Sequence, residues 1–314
     1  MTARFQGRYV SIPRDDPETT ARGLYFEPLR QARACVLMLP GSGGGVGPGI
    51  ERAPQPFSAA PTRRCHGGIY LRLGHELATG AAHSWAYKRE RDAAFGGDVA
   101  ALMVDWSVIP RRRLRRLSML ESAVEDAVAG ARWLLDRHAG ARLVVVGFSF
   151  GGPALWAALD RLSEAFGARL AGAASVAGSA RGGETFAAFD TAACVARFAA
   201  TGRPTLFLHG SHDKNVALQV SELLHGRAVQ ANGRSTLVVI NRAAHLLDTA
   251  RDVAYRTLRD WIGAALDGPP AEAETVRLGA EPRRPWRAKP SRRRLRKVAA
   301  APGHPLRGLV GYSE

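Results

Sequence analysis

Leu143-Val-Val-Val-Gly-Phe-Ser-Phe-Gly-Gly-Pro153 decides how the rest of the chain is read. Three consecutive valines between a leucine and a glycine read as a strand buried on both faces, as parallel sheets require. The run then turns through Gly147-Phe-Ser-Phe-Gly151 into an alanine-rich helical segment. A strand, a tight turn carrying a serine and a helix form the context of a G-x-S-x-G nucleophile elbow. The serine of such a turn is strained, and glycine two positions to either side keeps side chains out of the bend. The five-residue pattern alone is weak, because a glycine-rich turn that merely packs well has the same spelling. Its weight comes from the segments around it.

Upstream, Ala34–Leu39 reads as a buried strand that stops at Pro40-Gly-Ser-Gly-Gly-Gly-Val-Gly-Pro-Gly49. Glycine at this density exposes backbone N–H groups to a ligand. No G-x-G-x-x-G register fits, since the required last positions fall on Val46 and Pro48, and no Gly-Lys-Ser/Thr follows. Nucleotide-phosphate loops are therefore excluded. The reading that agrees with Ser149 is an oxyanion loop after the third strand.

Downstream, chain order sets the search: after an elbow serine the acid comes first and the histidine last. Thr205-Leu-Phe-Leu-His-Gly-Ser-His-Asp213 is a buried strand running into a loop with a carboxylate. Ser235–Ile240 is the next strand, and its loop Asn241-Arg-Ala-Ala-His-Leu-Leu247 presents His245. Both loops fall at carboxyl ends of strands, where α/β sheets carry their sites. Ser149 is then the nucleophile, His245 its base and Asp213 the group that fixes the imidazole tautomer. Backbone N–H groups of Phe150 and Ser42 are the oxyanion donors. Rival candidates are His209 and His212 for the base and Asp105 for a displaced acid; Asp248 reads as a cap of the last helix.

The remaining chain alternates strands and helices. Phe5–Ile12 and Ala21–Glu27 read as edge strands, Val99–Trp106 and Leu170–Ala177 as buried ones. Helices are expected over Gly68–Thr79, Leu120–His138, Ala217–Val229 and Thr249–Leu266. In the second, Val124, Val128, Ala131 and Leu135 share one face. The expected fold class is α/β, with a mostly parallel central sheet of about eight strands flanked by helices. One domain covers 1–266, with insertion-like loops at 50–66 and 80–97. Residues 178–203 leave room for a loop and a helix but not for a cap domain, which favours small acyl groups. Residues 267–314 form a basic tail rich in Pro and Arg, expected to be disordered.

The 314 residues carry a formal charge of +16, and 46% are hydrophobic, which suits a sizeable core. Such basicity fits either an acidic partner or an arginine-rich compositional bias. Residues 283–297 are the expected place for an acidic or nucleic-acid contact, and Arg111, Arg112, Arg113, Arg115 and Arg116 for attracting an anionic substrate. Cys35, Cys65 and Cys194 match neither a disulfide framework nor a zinc spacing, and Cys65-His66 with His75 and His83 lacks the spacing of a structural metal site. No metal or cofactor is expected. The first residues lack an apolar leader and no run reaches eighteen apolar residues, so the expectation is a protein without a transmembrane segment, cytoplasmic, or nuclear through its tail.

Leu39-Pro-Gly-Ser-Gly-Gly-Gly45, Val146-Gly-Phe-Ser-Phe-Gly-Gly152, Leu208-His-Gly-Ser-His-Asp213 and Ala244-His-Leu246, in that order, resemble the α/β-hydrolase superfamily. Over about Gly7 to Leu266 the chain looks most like its small, cap-less, dienelactone-hydrolase-like branch. Dienelactone hydrolases proper use a cysteine nucleophile, whereas position 149 is serine. The resemblance implies a cofactor-independent serine hydrolase that cleaves a small carboxylic ester or thioester through an acyl-enzyme. Similar sequences include non-enzymatic subunits of chromatin-associated complexes, so a scaffold binding an acidic or chromatin-associated partner through the basic tail is the alternative.

Overall fold

The computed structural model describes residues 4–5, 7–16, 19–42, 57–58, 69–81, 95–106, 119–179, 190–232, 234–268 and 273–279. They belong to one compact unit, Met1–Glu281. Nine strands make the main sheet: β2 (Arg8–Pro13), β3 (Thr20–Phe26), β4 (Ala34–Leu39), β6 (Val99–Asp105), β7 (Arg142–Phe148), β8 (Leu170–Val176), β9 (Thr205–Gly210), β10 (Ser235–Ile240) and β11 (Glu274–Leu278). Their order is β11-β10-β9-β8-β7-β4-β6-β3-β2. Only β2 with β3 and β3 with β6 pair antiparallel; every other neighbour is parallel. A separate antiparallel pair joins β1 (Arg4–Phe5) to β5 (Phe57–Ser58), inside the stretch expected to be a loop.

Alternation along β7 shows why the sheet is covered twice. Val144, Val146 and Phe148 enter one core cluster with α1 (Ile69–Thr79) and α6 (Arg251–Asp267), whereas Leu143 and Val145 enter the other. That second cluster is closed by α2 (Met119–Arg137), α3 (Gly151–Phe166), α4 (Thr191–Ala199) and α5 (Leu218–Asn232). Side chains of a strand point to opposite faces in turn, so a strand that is apolar at every position needs helices on both sides. The expected face of α2 is buried at Val124, Val128, Ala131 and Leu135.

Two expectations are corrected. The ordered domain does not stop at residue 266, because β11 extends the sheet beyond α6, in parallel with β10 from Thr236↔Glu274 to Ile240↔Leu278. Its signal is faint since it is an edge strand, and only Val276 and Leu278 pack against the core. Nor does Asp248 occupy the cap position of α6; that position is Ala250, which makes no side-chain cap bond. Residues 283–297 and the arginines at 111–116 lie outside the described residues, as do Cys65, His66 and His83, while His75 is buried in α1. Among the described residues no helix is long and apolar enough to cross a membrane.

Candidate active site

The parallel strands end together, and the register fixes what stands beside what. Leu39 pairs with Gly147, so the turn after β4 and the turn after β7 emerge side by side. Gly151 must be glycine here: a β-carbon on it would stand 2.4 Å from the Leu39 carbonyl oxygen. Ser149 has φ +51, the left-handed region that an L-residue occupies only under constraint. Its N–H donates to Val176 O at 3.0 Å, and its carbonyl accepts from Gly152 N at 3.0 Å. Helix α3 begins two residues later with its N-terminus, the positive end of its dipole, under the serine.

The acid and histidine loops are tied to each other by backbone bonds. Ser211 N–H donates to Ile240 O (3.0 Å), His212 N–H to Ala243 O (2.9 Å) and Arg242 N–H to Ser211 Oγ (2.9 Å). Below them, Arg72 of α1 donates to Asp252 of α6 at 2.6 Å, and its guanidinium lies 3.6 Å from the centre of the Tyr255 ring. This buried contact holds the start of α6, and with it the histidine loop, against α1.

The structure brings Ser149, His245 and Asp213 into one line. Asp213 Oδ1 accepts from the N–H groups of Asn215 (2.8 Å) and Val216 (2.9 Å), which fixes the carboxylate plane. Its Oδ2 lies 2.7 Å from His245 Nδ1. A carboxylate can only accept, so Nδ1 carries the proton and Nε2 keeps its lone pair. Ser149 Oγ–H donates to that Nε2 at 3.0 Å. The Asp213 side chain is fully buried and His245 is 12% exposed, so the pair is shielded while the serine end opens outward.

The rival residues stand elsewhere. Asp105 ends β6, which is separated from β9 by three strands of the sheet. His212 is exposed. His209 is buried with Nε2 3.0 Å from Val216 O and 3.3 Å from Asp213 Oδ2, and Nδ1 2.7 Å from Ser221 Oγ. Both neighbours of Nε2 only accept, so Nε2 carries the proton and Nδ1 accepts from Ser221. Burial pushes the His209 pKa down, in keeping with a neutral ring. It is therefore a support under the acid, a role its place before Gly210 at a strand end gave no means of reading.

Of the two oxyanion candidates, Phe150 stands at the start of α3 and Ser42 two residues past Pro40. The Trp106 ring meets the Phe150 ring edge-on with centres 5.5 Å apart, and its Nε1–H donates to Gly41 O at 2.8 Å. Residues 43–49 of the glycine loop lie outside the described residues.

Residues 115–268 match the sequence model of the prolyl oligopeptidase family. No curated protein sequence matches the chain. Among solved structures, Est1E from Butyrivibrio proteoclasticus superposes with a TM-score of 0.58 at 12% identity, covering 83% of this chain and 100% of that one. The Pyrococcus horikoshii acylaminoacyl peptidase gives 0.54 at 13% identity, over 87% of this chain and 44% of that one. An alpha-beta serine hydrolase homologue from Coxiella burnetii gives 0.51 at 16% identity, over 82% of this chain and 100% of that one. With this strand order, a serine at the turn after β7 and structural likeness over most of its length, the chain has the α/β-hydrolase fold.

Proposed function

We propose that the chain is a serine hydrolase that cleaves a small carboxylic ester or thioester through an acyl-enzyme, with Ser149, His245 and Asp213 as its catalytic residues. The observation that carries this is the unbroken relay from Ser149 Oγ through His245 to Asp213, at 3.0 and 2.7 Å. Ser149 Oγ attacks the carbonyl carbon while its proton passes to His245 Nε2. Asp213 stabilises the imidazolium, and the N–H groups of Phe150 and Ser42 hold the oxyanion. Collapse expels the alcohol or thiol, which takes the proton from His245. Water, activated by the same nitrogen, then releases the acid and restores Ser149.

An ester is favoured over a peptide bond by the extent of the likeness. The chain covers the whole of the Est1E chain but under half of the acylaminoacyl peptidase. Est1E has also been solved with ferulic acid bound. The scaffold reading needs no relay and gains nothing from one, and its basic segment lies outside the described residues. The deciding experiment is labelling with a fluorophosphonate, followed by a panel of short-chain esters, thioesters, lactones and peptide anilides. Labelling abolished by Ser149→Ala, with turnover of esters or thioesters, is the expected result. Labelling that survives the substitution removes the nucleophile, and turnover of anilides alone makes the enzyme a peptidase.

A further inference from the structure

We infer that Trp106 is a positioning residue for the oxyanion hole, clamping the Gly41–Ser42 peptide so that the Ser42 N–H faces the carbonyl attacked by Ser149. This rests on the hydrolase reading above and adds a residue that no catalytic motif contains.

The carbonyl of Gly41 and the N–H of Ser42 belong to one peptide unit. That unit is planar and trans, so its C=O and N–H point in opposite directions, and holding one end aims the other. Trp106 holds the carbonyl end, with its indole N–H 2.8 Å from Gly41 O. Trp106 follows β6, which lies on one side of β4, while β7 and its elbow lie on the other, so the indole reaches across the end of β4 to bond Gly41 and meet Phe150. With the Gly41 carbonyl held, the Ser42 N–H is fixed in the opposite direction, in the turn that emerges beside the one carrying Ser149.

The indole is itself wedged in place. Its ring meets the Phe150 ring at 81°, so one side chain touches the residue that supplies one donor and bonds the peptide that supplies the other. Tyr70 OH adds a second tie to this segment, donating to Leu39 O at 3.3 Å. Without the clamp the segment from Gly41 onward enters a glycine run with little intrinsic preference for one peptide orientation. An oxyanion donor acts through being oriented before the reaction, so a peptide free to flip would stabilise the transition state less while binding substrate as before.

The test is Trp106→Phe, which keeps a ring against Phe150 and deletes the donor, with sites counted by fluorophosphonate titration. The expectation is a fall in kcat per titrated site of at least about tenfold, short of or equal to the hundredfold typical of losing a donor outright, with KM within about threefold. Affinity for a trifluoromethyl ketone, which mimics the tetrahedral state, falls by the same factor as kcat/KM. A kcat per site within about twofold of wild type overturns the clamp, since a full oxyanion donor carries far more than that. Should the variant not fold, placing 3-benzothienylalanine at 106 swaps the N–H for sulfur at nearly constant shape and is read against the same two outcomes. Wild-type protein that takes no label refutes the hydrolase reading instead, which keeps the two failures apart.

Discussion

Gly210 and Ala243 are so close that a β-carbon built on Gly210 would stand 2.3 Å from the Ala243 carbonyl oxygen. Gly210 ends the strand before Asp213, and Ala243 precedes His245 by two residues, so this contact sets how closely acid and base approach. The obstructing atom is backbone and cannot swing aside. Gly210→Ala should push the two loops apart, costing about 1–3 kcal/mol of stability, as overpacking usually does. Ester turnover should fall more than tenfold, by about two orders of magnitude where the relay is lost from a transition state. Denaturant titration and kcat measured side by side check both parts.

Asp213→Asn should leave the fold nearly unchanged and remove activity. The two backbone N–H groups from Asn215 and Val216 would keep the amide oxygen on their side, placing the amino group opposite His245 Nδ1. The imidazole would then carry its proton on Nε2 and be unable to accept from Ser149. The same exchange in a serine protease triad lowers kcat by about 10⁴. A nitrogen NMR spectrum showing the His245 tautomer reversed, alongside kcat, tests the cause as well as the effect.

His209 supports Asp213 from beneath, and His209→Phe should act on catalysis as well as stability. The variant leaves Ser221 Oγ and the Val216 carbonyl buried without this partner, at about 1–3 kcal/mol for each unsatisfied group. Without the imidazole 3.3 Å from Oδ2, Asp213 is held less firmly against His245, and kcat should fall along with the melting temperature. A kcat that stays at the wild-type value while only the melting temperature drops would reduce His209 to packing.

Burial also lowers the pKa of His138 and His225, so three histidines are held neutral in the fold. In the unfolded chain each takes a proton near its ordinary value of 6.5. Below that pH the unfolded state binds more protons, and stability is lost as pH falls toward the folded-state values. The melting temperature should be flat above about pH 7 and decline between about pH 6.5 and 5, where unperturbed histidine titrates. His209→Gln should make that decline shallower. An unchanged slope would mean that His209 is not held neutral.

A chain ending at Gly268 should be less stable than one ending at Glu281. The shorter form loses β11 and uncovers the outer edge of β10, including the bond from Asn241 N–H to Leu278 O at 2.9 Å. That bond anchors the first residue of the histidine loop, so turnover should drop with the melting temperature. Equal melting temperatures for the two forms would leave β11 without a structural role.

The convergence of Ser149, Asp213 and His245 was legible because each occupies a fixed place in chain order and each strand before it is a plain apolar run. Val144–Val146, Leu206–Leu208 and Leu237–Ile240 are buried throughout and need helices on both faces. What stayed hidden has little local signature. β11 reads Glu-Thr-Val-Arg-Leu, with two apolar residues facing in, and each of its residues pairs with one of β10 that lies 38 positions earlier. Support by His209 and Trp106 depends on hydrogen bonds to backbone carbonyls, and an acceptor present in every residue leaves no mark on spacing. The resemblance to dienelactone hydrolases rested on general superfamily motifs, which do not separate one branch from another.

The positive φ at Ser149 has a consequence for how the chain can drift over generations. An L-residue held in that region costs about 1–2 kcal/mol, whereas glycine enters it freely and loses only about 0.5–1 kcal/mol through chain entropy. Ser149→Gly should therefore be inactive yet at least as stable as the wild type. Under the proposed function, a lineage released from hydrolysis has a single-residue route to a calmer fold, open at residue 149. Folding alone gives no reason for a serine at this backbone angle, where glycine sits without strain.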